Sequence, residues 1–100
     1  MSRKVTWSRE ALDDLGDAFE YIAADSPDYA LRLIDRIEEA GNKLGQHATG
    51  RPGRMAGTYE KSLPQLGYII AYGLDKPAGS VTILRVIHAA RNWSAGSWPD

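Results

Sequence analysis

Near its end the chain reads Arg85-Val86-Ile87-His88-Ala89-Ala90-Arg91-Asn92-Trp93, and His88 with Arg91 is the pair best suited to chemistry. An imidazole titrates near neutral pH and can move a proton. A guanidinium can neutralise charge that develops on a phosphate during RNA cleavage. With Arg85 as a second cation, His88, Arg91 and Arg85 form the candidate catalytic set of a ribonuclease. The same residue types also fit a histidine hydrogen-bonded near a strand end, with Arg91 neutralising a carboxylate. A second cluster, Gly50-Arg51-Pro52-Gly53-Arg54 followed by Gly57, joins two arginines to glycines that let backbone approach a partner closely. A solvated loop whose glycines only serve turns fits it equally. No Lys-Ser/Thr follows the second glycine, so this is not a phosphate-binding loop. No spacing of His, Asp and Glu suggests a metal site, and nothing implies a cofactor.

The elements that must position these groups can be read from the periodicity. Lys4–Trp7 alternates polar and apolar residues and predicts a short strand with Val5 and Trp7 facing a core. Ser8 offers an N-cap, and Leu12, Leu15, Phe19 and Ile22 recur at helical steps over roughly four turns. Asp13, Asp14, Asp17 and Glu20 line the wet side of that helix. Ser26 as N-cap with Pro27 in the first turn starts a second helix, with the stripe Ala30, Leu33, Ile34, Ile37, Ala40 and Leu44 and a stop at Gly45. The short gap forces an antiparallel hairpin. Residues 45–57 read as a loop, then Thr58–Leu63, Tyr68–Leu74 and Val81–His88 read as three strands of a meander. Alternation places Val81, Ile83 and Ile87 on one face of the last strand and Leu84, Val86 and His88 on the other. Trp7, Phe19, Tyr21, Tyr68 and Tyr72 are expected in or at the edge of the core. The fold class is α+β, in the order β-α-α-β-β-β, with the helical hairpin packed on a four-stranded, mostly antiparallel sheet.

One hundred residues fit a single domain over 1–100. There is no cysteine, which removes disulfides, thiolate zinc sites and a thiol nucleophile. No apolar run is long enough to span a membrane, and the N-terminus lacks the apolar core of a signal peptide, so a soluble cytoplasmic protein is expected. The net charge of −1 conceals a split: residues 1–50 carry −4 and residues 51–100 carry +3. An acidic face and a basic face follow, without the strong basic excess of a protein that grips long stretches of phosphate.

Several motifs together resemble one family. They are the strand ending in Trp7-Ser8, Ala11-x-x-Asp14-Leu15, Tyr21-Ile22-Ala23, the Gly50–Arg54 loop, Gly57-Thr58-x-Glu60, Tyr68-x-Ile70-x-Tyr72 and the closing Val86-Ile87-His88-Ala89-Ala90-Arg91-x-Trp93. Over about residues 4–93 their order is similar to that of the RelE/ParE superfamily of toxins from bacterial type II toxin–antitoxin systems. The resemblance implies the β-α-α-β-β-β fold and a cognate antitoxin that wraps the toxin with a helix and an extended segment. It also implies one of two activities. RelE-like members cut messenger RNA on the ribosome, whereas ParE-like members poison DNA gyrase and stall replication. RelE-like nucleases carry an arginine where this chain has Ile69, and they are strongly basic. The Gly-Arg-x-Gly-Arg and His-x-x-Arg-x-Trp pieces look more like the ParE side, although Tyr59 stands where many relatives have arginine.

The resemblance therefore implies first a gyrase-directed toxin, whose target surface would use Arg51, Arg54, Lys61, Arg85, His88, Arg91 and Trp93. The alternatives are a ribosome-dependent messenger RNA endonuclease using His88, Arg91 and Arg85, and a non-toxic module that only binds an antitoxin. Antitoxin binding is expected on the outer side of the hairpin and an edge of the sheet, with Leu12, Phe19, Leu31 and Ile34 as contacts.

Overall fold

The computed structural model describes residues 3–53, 55–75 and 77–90. Seven elements follow in order: β1 (Lys4–Trp7), α1 (Arg9–Ala23), α2 (Pro27–Lys43), β2 (Arg51–Pro52), β3 (Thr58–Leu63), β4 (Tyr68–Asp75) and β5 (Ser80–His88). Both helices start where their caps dictate. The Ser8 hydroxyl accepts from the Ala11 amide and the Ser26 hydroxyl from the Tyr29 amide, each satisfying a first-turn donor that has no partner within the helix. Among the described residues no helix is long and apolar enough to cross a membrane.

The sheet has five strands in the order β1-β5-β4-β3-β2. β1 runs parallel to β5, and the other pairs are antiparallel. The chain from α1 through β4 makes the long connection that a parallel pair needs. The extra strand is β2, two residues inside the expected loop, which pairs Arg51 with Glu60 and Pro52 with Tyr59. A proline is tolerated there because β2 is the sheet edge.

The helices cover one face. Ala11, Leu15 and Ala18 of α1 and Leu33 and Ile37 of α2 meet Tyr68, Ile70, Tyr72, Val81, Ile83 and Val86 of the sheet. Gly41 is buried inside α2 although glycine weakens a helix. A Cβ there would lie 2.5 Å from Cζ2 of Trp7, whose indole N–H donates to Oδ1 of Asn42 at 3.0 Å. The glycine is what lets the Trp7 ring pack this closely against α2.

One expectation fails on β5. Its register against β4 shifts between Ala71, which faces Arg85, and Tyr72, which faces Ile83, so Leu84 is an extra residue. This β-bulge reverses the alternation beyond it. Val81, Ile83, Val86 and His88 therefore face the helices, while Ile87 lies on the far face, opposite Ile69 and only 1 % exposed.

The bulge falls where β1 gives out. The β1 ladder ends at Trp7 opposite Ile83, because the chain turns into α1 at Ser8. The next groups along that edge of β5 are met by side chains and caps instead. The Ser8 amide donates to the Ile83 carbonyl at 2.9 Å and its hydroxyl to the Leu84 carbonyl at 2.9 Å. The Asp14 carboxylate accepts from the Val86 amide at 2.9 Å and from Nε and Nη2 of Arg85, both at 2.8 Å. The two ionic side chains keep only 18 % and 12 % of their surface exposed. Removing one member strands the other in poor solvent. Asp14→Ala is expected to lower unfolding free energy by about 3 kcal/mol in urea titration, and adding Arg85→Met to recover part of it. A loss below about 0.5 kcal/mol, the size of an ordinary surface change, would refute this account.

Candidate functional site

His88 ends β5 on the helix-facing side. Its ring meets the edge of Tyr68 at a centroid distance of 5.1 Å and an interplanar angle of 90°. Both border a cleft of about 340 Å³ between α1 and the end of the sheet, which Asp14, Asp17, Ala18, Tyr21, Val86 and Ala90 also line. Tyr21 is 74 % exposed, contrary to the expectation of a core position. It follows Ala18 by three residues yet lies off the apolar stripe of α1, on the flank that carries Asp14 and Asp17.

Arg85 is not available as a free cation. Asp14 holds its guanidinium through two parallel hydrogen bonds. That bonding raises the pKa of the guanidinium further, burial opposes the rise, and the charges of Asp14, Glu10 and Asp17 add to it. His88 and Arg85 leave opposite sides of β5, and the Arg85 guanidinium turns to Asp14. Arg54, Arg91 and Trp93 lie outside the described residues.

The remaining expected cations also separate. Arg51 is exposed on β2 and shares a register position with Glu60 on the far face. Lys61 pairs with Ile70 and so leaves the helix-facing side of β3, half-buried. Among the described residues, Arg51, Lys61, Arg85 and His88 do not form one basic patch. The described cations of the positive half are therefore not gathered on a single surface. Glu60 is 5 % exposed, beside Ala71 in the same far-face row as Arg85.

Tyr72 seats the loop that carries Arg51. Its fully buried ring stacks on Tyr59 at 5.6 Å, and its phenol donates to the Thr49 carbonyl. Gly50 passes at φ 125°, and a Cβ there would lie 2.5 Å from the Glu60 carbonyl oxygen and 3.3 Å from the Tyr72 hydroxyl. Burial first, then the neighbouring Tyr59, push the Tyr72 phenol above its ordinary 10.0, with Arg3 opposing.

On the hairpin, Leu12 and Leu31 are more than half exposed, as a contact surface needs. Phe19 and Ile34 are half-buried, and Ile34 also packs on the core. Sequence reasoning missed Asp14, Asp17 and Tyr21 as site residues. The available signal was position, since Asp14 sits directly beside Leu15 on the border of the apolar stripe.

Three comparisons bear on this geometry. Residues 5–93 match the family model described as the ParE toxin of the type II toxin–antitoxin system parDE. The Sinorhizobium fredii protein Y4kP, whose name proposes a toxin, is 41 % identical over 95 residues, covering 93 % of this chain and 96 % of that one. The fold is similar to that in the chromosomal ParDE toxin–antitoxin system of P. aeruginosa, with a TM-score of 0.78 and 24 % identity over 87 % of this chain and 96 % of the other. It is also similar to that in the RelBE2 toxin–antitoxin complex of Mycobacterium tuberculosis, with a TM-score of 0.70 and 23 % identity over 91 % and 95 %. Isolated E. coli RelE is more distant, with a TM-score of 0.55 and 18 % identity over 91 % and 88 %.

The Tyr72 phenol gives a test with a defined sign. An unfolded phenol loses its proton near pH 10, whereas the folded one holds it higher. Stability is therefore unaffected below about pH 10 and falls as pH rises above it towards the folded value. Tyr72→Phe is expected to remove that alkaline fall in thermal melts while costing about 1 kcal/mol at neutral pH. An unchanged alkaline limb in the variant would assign it to another group.

Proposed function

Because the chain belongs to the ParE toxin family of type II toxin–antitoxin systems, we propose that it is the toxin of such a system, that a cognate antitoxin silences it, and that it blocks DNA gyrase instead of cutting RNA. Family membership supports the first two statements. The third is carried by the central rows of the far sheet face. The row Ser62, Ile69 and Ile87 contains no ionisable group. Ile69 stands where the resemblance places an arginine in the nucleases. In the next row Ala71 separates Glu60 from Arg85, and Arg85 is already bound to Asp14. Phosphate cleavage requires preorganised positive charge around the transition state, and between the exposed Arg51 at one edge and the bound Arg85 these rows place none.

A protein that acts this way works through its surface, and its variants should behave accordingly. The exposed Leu12 and Leu31 suit an apolar face of the antitoxin helix. The exposed Arg51 suits the target, since its removal leaves the core untouched.

Purified toxin is expected to stop supercoiling by purified gyrase, and Arg51→Ala to weaken that inhibition about tenfold, the scale of one charged interface contact. His88→Ala is expected to leave growth arrest intact, and the chain to co-purify with the product of an adjacent small reading frame. Normal supercoiling at saturating toxin would defeat the gyrase reading. So would cuts inside codons of ribosome-bound message that His88→Ala abolishes.

A further inference from the structure

The cleft beside Tyr21 combines three features that the gyrase reading does not use. The first is an uncovered strand edge. β5 runs five residues past the end of the β1 ladder, from Leu84 to His88. The Val86 amide points away from β4 to reach Asp14, and the Ala89 amide points back to the Gly67 carbonyl. Strand alternation therefore turns the Val86 carbonyl and the His88 amide toward the same side as the cleft. No described strand pairs with β5 there. The second feature is charge. Asp14 is already neutralised by Arg85, whereas Asp17 on the cleft wall is exposed and makes no ion pair among the described residues. The third is aromatic surface, with the exposed Tyr21 ring on one wall and Tyr68 and the imidazole of His88 at the floor.

We propose that this cleft receives an arginine side chain from an extended protein segment that pairs with β5 alongside Val86–His88. A guanidinium is planar, so it can lie on the Tyr21 ring while donating to the Asp17 carboxylate. A neutral side chain could use the rings but not the carboxylate, and an acidic one would be repelled by Asp17. A volume of about 340 Å³ is enough for one long side chain, not for a folded element. The bearer of the arginine is the antitoxin on the reading above, and the proposal deepens that reading by naming which edge and which side chain it uses.

Two experiments separate the proposal from the reading it rests on. In the first, the full-length chain labelled with ¹⁵N is titrated with the blocked peptide Thr-Val-Arg-Val-Thr and with the same peptide carrying citrulline, which keeps the shape of arginine and removes its charge. Shift changes are expected at the amides of Ala18, Tyr21 and His88 with the arginine peptide only. Equal shifts with citrulline, shifts elsewhere on the surface, or no shifts at all because the chain's own end fills the cleft would each overturn the proposal. In the second, Asp17→Asn and Tyr21→Ala, both at exposed positions, are combined and the affinity for the co-expressed antitoxin is measured. A loss of about tenfold that disappears at high salt supports the proposal. A complex that forms with unchanged affinity overturns the cleft and leaves the toxin reading standing. Failure to find any antitoxin partner, with the arginine peptide still bound at the cleft, overturns the antitoxin assignment alone.

Discussion

A carboxylate from a helix takes the place of a missing strand in this fold. β1 is four residues long and β5 is nine, so part of one edge of β5 has no ladder. Backbone donors and acceptors left inside a protein without partners are costly. Asp14 and Ser8 supply those partners, and they do so from the first turns of α1, which begins where β1 stops. The position of α1 over the sheet is thereby tied to the hydrogen-bonding needs of a strand more than 70 residues away in sequence. The pair Asp14–Arg85 adds little net energy compared with an apolar replacement, as is usual for buried ions. Its physical consequence is register, since in the bulged strand Arg85 and the Val86 amide share the one carboxylate.

Register then decides what the end of the chain can do. Without the bulge, Val86 and His88 would sit on the far face and Ile87 among the helices. With it, Val86 closes the core, and His88 stands against Tyr68 at the rim of a cleft. The same event places Arg85 in the far-face row beside Ala71, with its guanidinium bound to Asp14. The far face keeps a neutral row of Ser62, Ile69 and Ile87.

Much of this architecture is legible in the sequence because its signals are local. Ser8 and Ser26 cap the helices they announce, Pro27 sits in the first turn of α2, and the meander follows the turn residues between its strands. The features that escape a sequence reading are those decided by distant contacts. Leu84 is an ordinary apolar residue in an apolar strand, and nothing beside it marks a bulge. Asp14 belongs to a run of acids that looks solvated, and only its place beside Leu15 separates it from Asp13, which is exposed. Gly41 looks like a weak point in α2 until the Trp7 ring is seen lying on it. Arg51 and Lys61 are both cations in the basic half, but strand alternation sends them to opposite faces. Tyr21 has helical spacing from Ala18, yet it lies on the acidic flank of α1 and not on its apolar stripe.

The charge asymmetry keeps a meaning once it is assigned to layers instead of patches. Residues 9–43, which span the two helices, hold ten acids and four bases, a net charge of −6 in a chain whose total is −1. The helical layer is therefore negative, while the described residues outside it carry five bases and two acids. A field of this kind orients an approaching partner before contact and sets which side it meets first. The exposed apolar groups Leu12, Tyr21, Tyr29 and Leu31 all belong to the negative layer. A partner bound there must be both apolar and basic, which a positively charged amphipathic segment satisfies and a nucleic acid does not. The helical layer thus suits a basic, apolar protein segment better than a nucleic acid.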